Sequence, residues 1–201
     1  MSIITISREY GAGGAVIARR VAQELGIEIY DKDIIRNTVK DSGLDPDIIK
    51  QEEEEISRAD SILRMITPAA YVDRREAIRK IEQRVILMLV AKGDCVVLGR
   101  CADMILEEAD IESLNVFIYA DELHRALRVS ELIGSKDPTE IQRAMHKTDS
   151  ARHTYYQHFT GRKWGDLRNY NLCLDSGLLG YDTCVKLICD AARGLHSSSE
   201  G

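Results

Sequence analysis

The run Ile3-Ile4-Thr5-Ile6-Ser7-Arg8-Glu9-Tyr10-Gly11-Ala12-Gly13-Gly14 starts as an apolar strand and ends with three glycines in four residues. Ile17, Val21 and Leu25 follow one turn apart, the spacing of a helix. Strand, glycine-rich turn and helix N-terminus together form a cradle for phosphate. Glycine lets successive backbone N–H groups turn toward one anion, and the helix dipole adds partial positive charge at the same place. The common triphosphate-binding form of such a loop reads G-x-x-x-x-G-K-[ST], with a lysine and a magnesium-binding hydroxyl. Alignment on Gly11 and Gly13 puts Gly14 at the lysine and Val16 at the hydroxyl. The loop therefore has the shape of a phosphate site without its two usual side chains. Arg8 is the only cation inside the loop sequence and so the candidate to supply the missing charge; Arg19 and Arg20 lie past the first helical turn.

Five β-rich runs recur along the chain: Ile3–Ile6, Glu28–Tyr30, Cys95–Leu98, Asn115–Tyr119 and Asn171–Leu174. Helical patterns separate them, which predicts an α/β fold with a parallel sheet. Val96-Val97-Leu98 and Val116-Phe117-Ile118 are continuously apolar, as strands buried on both faces are. The stretch from 41 to 92 carries no strand pattern. It opens with the turn-like Asp41-Ser42-Gly43 and Asp45-Pro46 and holds an acidic run, Glu52–Glu55, that reads as a solvated helix face. A long helix is expected from about Ala70 to Ala91, with Ile78, Ile81, Val85 and Leu89 facing inward. A second polar segment spans 135–169 and holds His146, His153 and His158, which lack metal-ligand spacing. The last residues, 194–201, read as a flexible tail.

Composition narrows the class. With 201 residues, 44% hydrophobic and 30% charged, the chain suits one soluble α/β domain, 1–201, with insertions. A net charge of −6 argues against coating nucleic acid. Apolar runs such as Val85 to Ala91 are too short to span a bilayer, and no basic-then-apolar leader opens the sequence. Five cysteines without a C-x-x-C pair predict buried thiols in a cytoplasmic protein and no zinc site.

SREYGAGG and the later Tyr30-Asp31-Lys32-Asp33-Ile34-Ile35 resemble the cytidylate kinase-like proteins, a divergent branch of the P-loop nucleoside monophosphate kinases. Further matches follow in order across nearly the whole chain. They are Val96-Val97-Leu98-Gly99-Arg100-Cys101-Ala102-Asp103, Val116–Ala120 leading to Arg125 and Arg128, Asp149-x-x-Arg152-x-x-Tyr155-Tyr156, and Trp164-Gly165-Asp166. The resemblance implies a three-layer P-loop kinase fold with a five-stranded parallel sheet. It also implies a helical acceptor-binding insertion at about 41–92 and a lid at about 135–169. The implied activity is phosphoryl transfer from ATP, with Mg2+, to a nucleoside monophosphate such as CMP.

Gly11, Ala12, Gly13, Gly14 and Ala15 are the ATP-side candidates; the resemblance makes Arg152 a lid arginine that reaches the transferred phosphoryl group, and Arg8, from the loop, and Arg128 complete the catalytic candidates. Asp31, Arg36 and Arg100 are the acceptor-side candidates, although Asp31 could equally cap the helix that follows it. Arg100 has independent support, because a glycine–arginine pair at a strand's carboxyl end offers a planar donor fork to phosphate. Leu98 stands where cytidylate kinases carry an acidic residue, so the chain supplies no metal ligand there. Metal would then be held by nucleotide phosphates and water. Two other readings stay open: a nucleotide-binding module without catalysis, and a kinase of a non-nucleotide small molecule. The long amphipathic helices of the insertion are compatible with a homodimer; neither nucleic acid nor membrane is an expected partner.

Overall fold

β1 (Ile3–Arg8) is the central strand of the sheet, two residues longer than its apolar run, so Arg8 is its last residue. A computed structural model describes residues 2–41 and 68–198 of the chain. After β1 come α1 (Gly14–Leu25), β2 (Glu28–Tyr30), α2 (Lys32–Asp41) and α3 (Pro68–Val90). β3 (Cys95–Leu98), α4 (Ala102–Glu108), β4 (Leu114–Tyr119), α5 (Glu122–Ile133) and α6 (Pro138–Thr160) follow. A short 3-10 turn, Leu167–Asn169, leads into β5 (Leu172–Asp175) and α7 (Ser176–Ser198). The strands form one parallel sheet in the order β2-β3-β1-β4-β5, flanked by helices. Each expected strand is present, within two residues of its expected limits.

The chain forms two compact units, Met1–Asp31 with Gly93–Gly201, and Lys32–Lys92. In the first unit, Ile17, Val21 and Ala22 of α1 and Cys184, Ile188 and Cys189 of α7 pack on Ile4, Ile6, Val96, Val116 and Ile118 of the sheet. Ile3, Ile4 and Ile6 are buried as a continuous run because neighbouring strands bracket β1 on both sides. Thr5 is the polar exception, and its hydroxyl donates to Asn115 Oδ1 at 2.6 Å across the β1–β4 pair. Asp121 and Asp137 cap α5 and α6, accepting from the N–H groups of His124 and Thr139. Tyr155, Tyr156 and Trp164 pack α6 and the chain after it onto Cys101 and Met104. All five cysteines are free thiols.

The second unit holds α2 and α3, and α3 falls within two residues of the helix read from the sequence. Its buried positions are Glu82, Val85, Ile86, Leu89 and Val90; Ile81 is half-buried. The side chain of Ile78 and the acidic run Glu52–Glu55 lie outside the described residues. The unit starts at Lys32, earlier than the expected start of the insertion at 41. α7 continues through Ser198, into the stretch expected to be a tail. Ala192 is buried, and Arg193 reaches Asp190 and Glu24, so the helix is held up to Gly194. Among the described residues no helix is long and apolar enough to cross a membrane.

Ile118 is fully buried at the centre of the sheet, whereas Leu178 is 82% exposed. Ile118→Ala should therefore lower stability by about 2–5 kcal/mol in urea denaturation. Leu178→Ala should change it by no more than about 0.5 kcal/mol.

Candidate phosphate-binding site

A parallel sheet sends the carboxyl ends of all its strands to one edge. Here that edge collects Arg8 from β1, Asp31 after β2, Gly99-Arg100 after β3, Ala120 after β4 and Ser176 after β5. The connection after β1 runs toward β2 and the connection after β3 runs the other way to β4, and open α/β sheets bind ligands at such a switch point. The glycine loop sits there.

Its shape is fixed from three directions. Gly13 precedes α1 with φ 73°, and a Cβ there would lie 2.2 Å from Cζ of Tyr181 on α7. Gly11, with φ 87°, lies against the Arg125 carbonyl of α5. The Ser176 hydroxyl donates to the Ala12 carbonyl at 2.7 Å and also lies 3.1 Å from the Tyr119 carbonyl. The backbone N–H groups of Gly11, Gly13, Gly14 and Ala15 have no acceptor among the described residues. These are the donors that an anion at the head of α1 would take. Counting from Gly13 also corrects the motif: the hydroxyl position is Ala15 rather than Val16, and neither side chain carries an oxygen.

Arg8 crosses this site. A Cβ on Gly14 would come within 2.5 Å of Arg8 Cβ and 2.8 Å of its Cγ. A Cβ on Gly99 would come within 2.4 Å of Arg8 Nη1. The side chain therefore runs over the lysine position of the loop and reaches the end of β3. There Gly99, Arg100 and Cys101 take positive φ in succession, 78°, 59° and 52°, a costly conformation for the two non-glycine residues. Arg152 on α6 donates from Nη1 to the Arg8 carbonyl at 2.8 Å and lies 5.9 Å from the Tyr10 ring centroid. Burial, with the charges of Arg152 and Arg100, pushes the Arg8 guanidinium down to about 9, against the pull of Asp31. Burial likewise lowers Arg152, against Asp149 and Tyr10. Arg8 thus takes the loop's lysine position, with Arg152 and Arg100 close enough for their charges to act on it.

A second set of contacts, which sequence reasoning missed, holds them there. Arg125 bridges Glu9 Oε2 at 2.8 Å and Asp149 Oδ2 at 2.7 Å. Asp149 Oδ1 accepts from the Tyr10 N–H at 2.8 Å, and Glu9 Oε2 accepts from the Ala120 N–H at 3.3 Å. Burial alone would lower Arg125, but Glu9 and Asp149 leave it raised. Glu9 beside Arg8, and Asp149 one turn before Arg152, were the sequence signals available. Arg128 is not part of this set: it forms an exposed pair with Glu131 at 2.7 Å. Arg36 lies on α2 of the second unit, its Nε buried with no partner among the described residues.

The residues at the loop do not fit a metal held by protein ligands. Ala15 and Leu98 occupy the two customary anchor positions, and Glu9 and Asp149 are engaged by Arg125. Asp103, near Arg100 in sequence, is buried and accepts from the Tyr156 hydroxyl at 2.6 Å. Among the described residues no group of three His, Cys, Asp or Glu side chains could hold a metal ion.

The cytidylate kinase-like family model matches residues 3–178, the entire sheet and the loop. The chain belongs to the cytidylate kinase-like family. A crystal structure of an uncharacterized protein from Eubacterium ventriosum has 25% identity and a TM-score of 0.73, over 96% of this chain and 99% of that one. Shikimate kinase from Bacteroides thetaiotaomicron, at 12% identity, has a TM-score of 0.54 over 96% and 98%. A gluconokinase from Sinorhizobium meliloti, at 17% identity, has a TM-score of 0.52 over 98% and 97%. The last two share the fold. No curated protein sequence is significantly similar to the chain.

Two outcomes test this geometry. Gly14→Ala should lower the melting temperature because its methyl meets Arg8 Cβ, and adding Arg8→Gly should recover part of the loss. A double-mutant cycle should show coupling of at least about 1 kcal/mol. Burial also raises the Asp103 carboxyl above its ordinary 3.8, although the Tyr156 hydrogen bond pulls the other way. The folded chain therefore holds that proton more tightly than the unfolded chain does. The resulting stability is complete below 3.8 and is lost as pH rises through the folded value. Asp103→Asn should flatten that fall when denaturation is followed across acidic to neutral pH.

Proposed function

We propose that this chain transfers the terminal phosphoryl group of ATP to a small acceptor, a nucleoside monophosphate such as CMP. The observation that carries the reading is the meeting of Arg8 and Arg152 at a loop whose Gly11, Gly13, Gly14 and Ala15 N–H groups lack acceptors. Phosphoryl transfer requires little covalent chemistry from a protein. It needs donor phosphates held, an acceptor oxygen aligned, and developing negative charge neutralised. The loop donors and α1 hold the donor phosphates. Arg8 lies where the loop lysine would and carries its charge. Arg152 adds a second guanidinium from the opposite wall, at α6. Arg100, held in its left-handed turn at the end of β3, is the acceptor-phosphate fork. Magnesium, if it accompanies ATP, enters on the nucleotide's own oxygens.

The acceptor class rests on family membership and on Arg100; the folds shared with shikimate kinase and gluconokinase keep a small alcohol as the second reading. A module that only binds nucleotide has less use for guanidinium charge on both walls. ADP release measured with ATP against a panel of nucleoside monophosphates and small alcohols separates these readings. Turnover confined to monophosphates supports the proposal, turnover with an alcohol alone replaces the acceptor, and turnover with none leaves a binding module.

Arg8→Ala should lower kcat by roughly 10²–10³-fold with a smaller change in ATP affinity, and Arg8→Lys should regain part of the loss. Arg100→Lys should weaken the acceptor by about 1–3 kcal/mol and leave ATP affinity nearly unchanged, because a point charge cannot make the fork. Steady-state kinetics with each substrate varied in turn checks both outcomes.

A further inference from the structure

We propose that Arg8 and Arg152 stand in for both the loop lysine and the metal, so that the site binds the nucleoside triphosphate as its metal-free polyanion. The inference rests on the reading of the loop as a triphosphate site. Three observations carry it. First, the Arg8 side chain physically occupies the lysine position, since a Cβ on Gly14 would lie 2.5 Å from Arg8 Cβ. Its guanidinium continues past that position to Gly99, within 2.4 Å of where a Cβ would stand, and so reaches the residue before Arg100. A lysine on α1 would end in a single ammonium; this arginine spans the loop and the end of β3.

Second, Arg152 closes the opposite side by donating to the Arg8 carbonyl at 2.8 Å, and it meets the Asp149 carboxylate only at 3.8 Å. Asp149 makes its closer bonds to Arg125 and to the Tyr10 N–H. Third, among the described residues no group of three His, Cys, Asp or Glu could hold a metal, and the customary anchor positions at the loop are replaced or occupied. Ala15 and Leu98 are apolar, Glu9 is bound to Arg125, and Asp103 is bound to Tyr156. Guanidinium groups neutralise phosphate charge and donate to its oxygens in two directions at once. They do what a bound cation does for affinity without needing carboxylates to hold it. Asp31 acts on Arg8 in the opposite sense to Arg152 and Arg100, and burial with those two guanidinium charges outweighs it.

Calorimetric titration of the full chain with ATP, once in EDTA and once in excess Mg2+, tests the inference. The expected dissociation constants agree within about fivefold, less than about 1 kcal/mol. A loss greater than that on chelation overturns it. Arg152→Gln, confirmed as folded by circular dichroism, should lose at least about tenfold in affinity in EDTA and clearly less in Mg2+, because metal then restores the missing charge. Equal losses in both buffers would also overturn the inference. Phosphoryl transfer is measured separately with the acceptor panel. Turnover together with metal-dependent binding refutes this inference and leaves the kinase reading standing. Metal-free binding without turnover does the reverse, and no ATP binding in either buffer refutes both.

Discussion

Arg8 and a side chain at position 14 exclude each other. The Arg8 Cβ and Cγ lie where a Cβ on Gly14 would be, so the strand's last residue has taken the space that the helix's first turn normally fills with lysine. Several peculiarities of the sequence follow from that single exchange. Gly14 must lack a side chain, and Gly99 must too, because the Arg8 guanidinium ends against it. The cation now starts from the sheet rather than from the helix. Its charge is delivered between the ends of β1 and β3, next to Arg100, instead of at the head of α1 alone.

Moving the charge in this way creates an electrostatic difficulty that the neighbouring residues answer. Arg8 is buried beside Arg152 and Arg100, and each of these influences lowers its hold on the proton. Like charges at close quarters stay together only when the backbone around them is tied by other means. Glu9, Arg125 and Asp149 supply the tie. One guanidinium bridges two carboxylates, and those carboxylates also accept from the N–H groups of Ala120 and Tyr10. Charged hydrogen bonds of this kind contribute about 1.5–3 kcal/mol each. The scaffold carries one net negative charge, which stands beside the guanidinium groups of Arg8 and Arg152.

Most of the fold was legible because parallel strands at the centre of a sheet need no alternation. Cys95–Leu98 and Val116–Ile118 announce themselves as unbroken apolar runs, and each is buried throughout. The glycine loop was legible for the same local reason. Arg8 could be named from the sequence because it is the cation that the loop itself contains. The bridge through Arg125 could not, since its partners lie more than a hundred residues back along the chain and a further 24 ahead. Arg125 and Arg128 share a helix face in projection, but the loop meets α5 at Arg125, whose side chain is 12% exposed, and leaves Arg128 to Glu131. The extension of α7 to Ser198 carries little signal in the sequence because glycine and serine are weak helix formers.

The same bridge bears on how the segment from 135 to 169 works. Resemblance casts it as a lid, and a lid that opens must release whatever it holds. Here α6 holds the loop's own backbone: Asp149 takes the Tyr10 N–H, and Arg152 gives a hydrogen bond to the Arg8 carbonyl. Swinging α6 away would unpair Asp149 and Arg125 together and strip Arg152 from the loop, leaving partly buried charges without partners. In this conformation α6 is therefore a wall of the candidate site, tied to the glycine loop's own backbone. Its buried residues Ile141 and Met145 pack with Val129 of α5, which carries Arg125, so the two helices and the loop form one block. Charge placed by such a block is already oriented when phosphate arrives. That preorganisation is what a site without a lysine or a protein-held metal most requires.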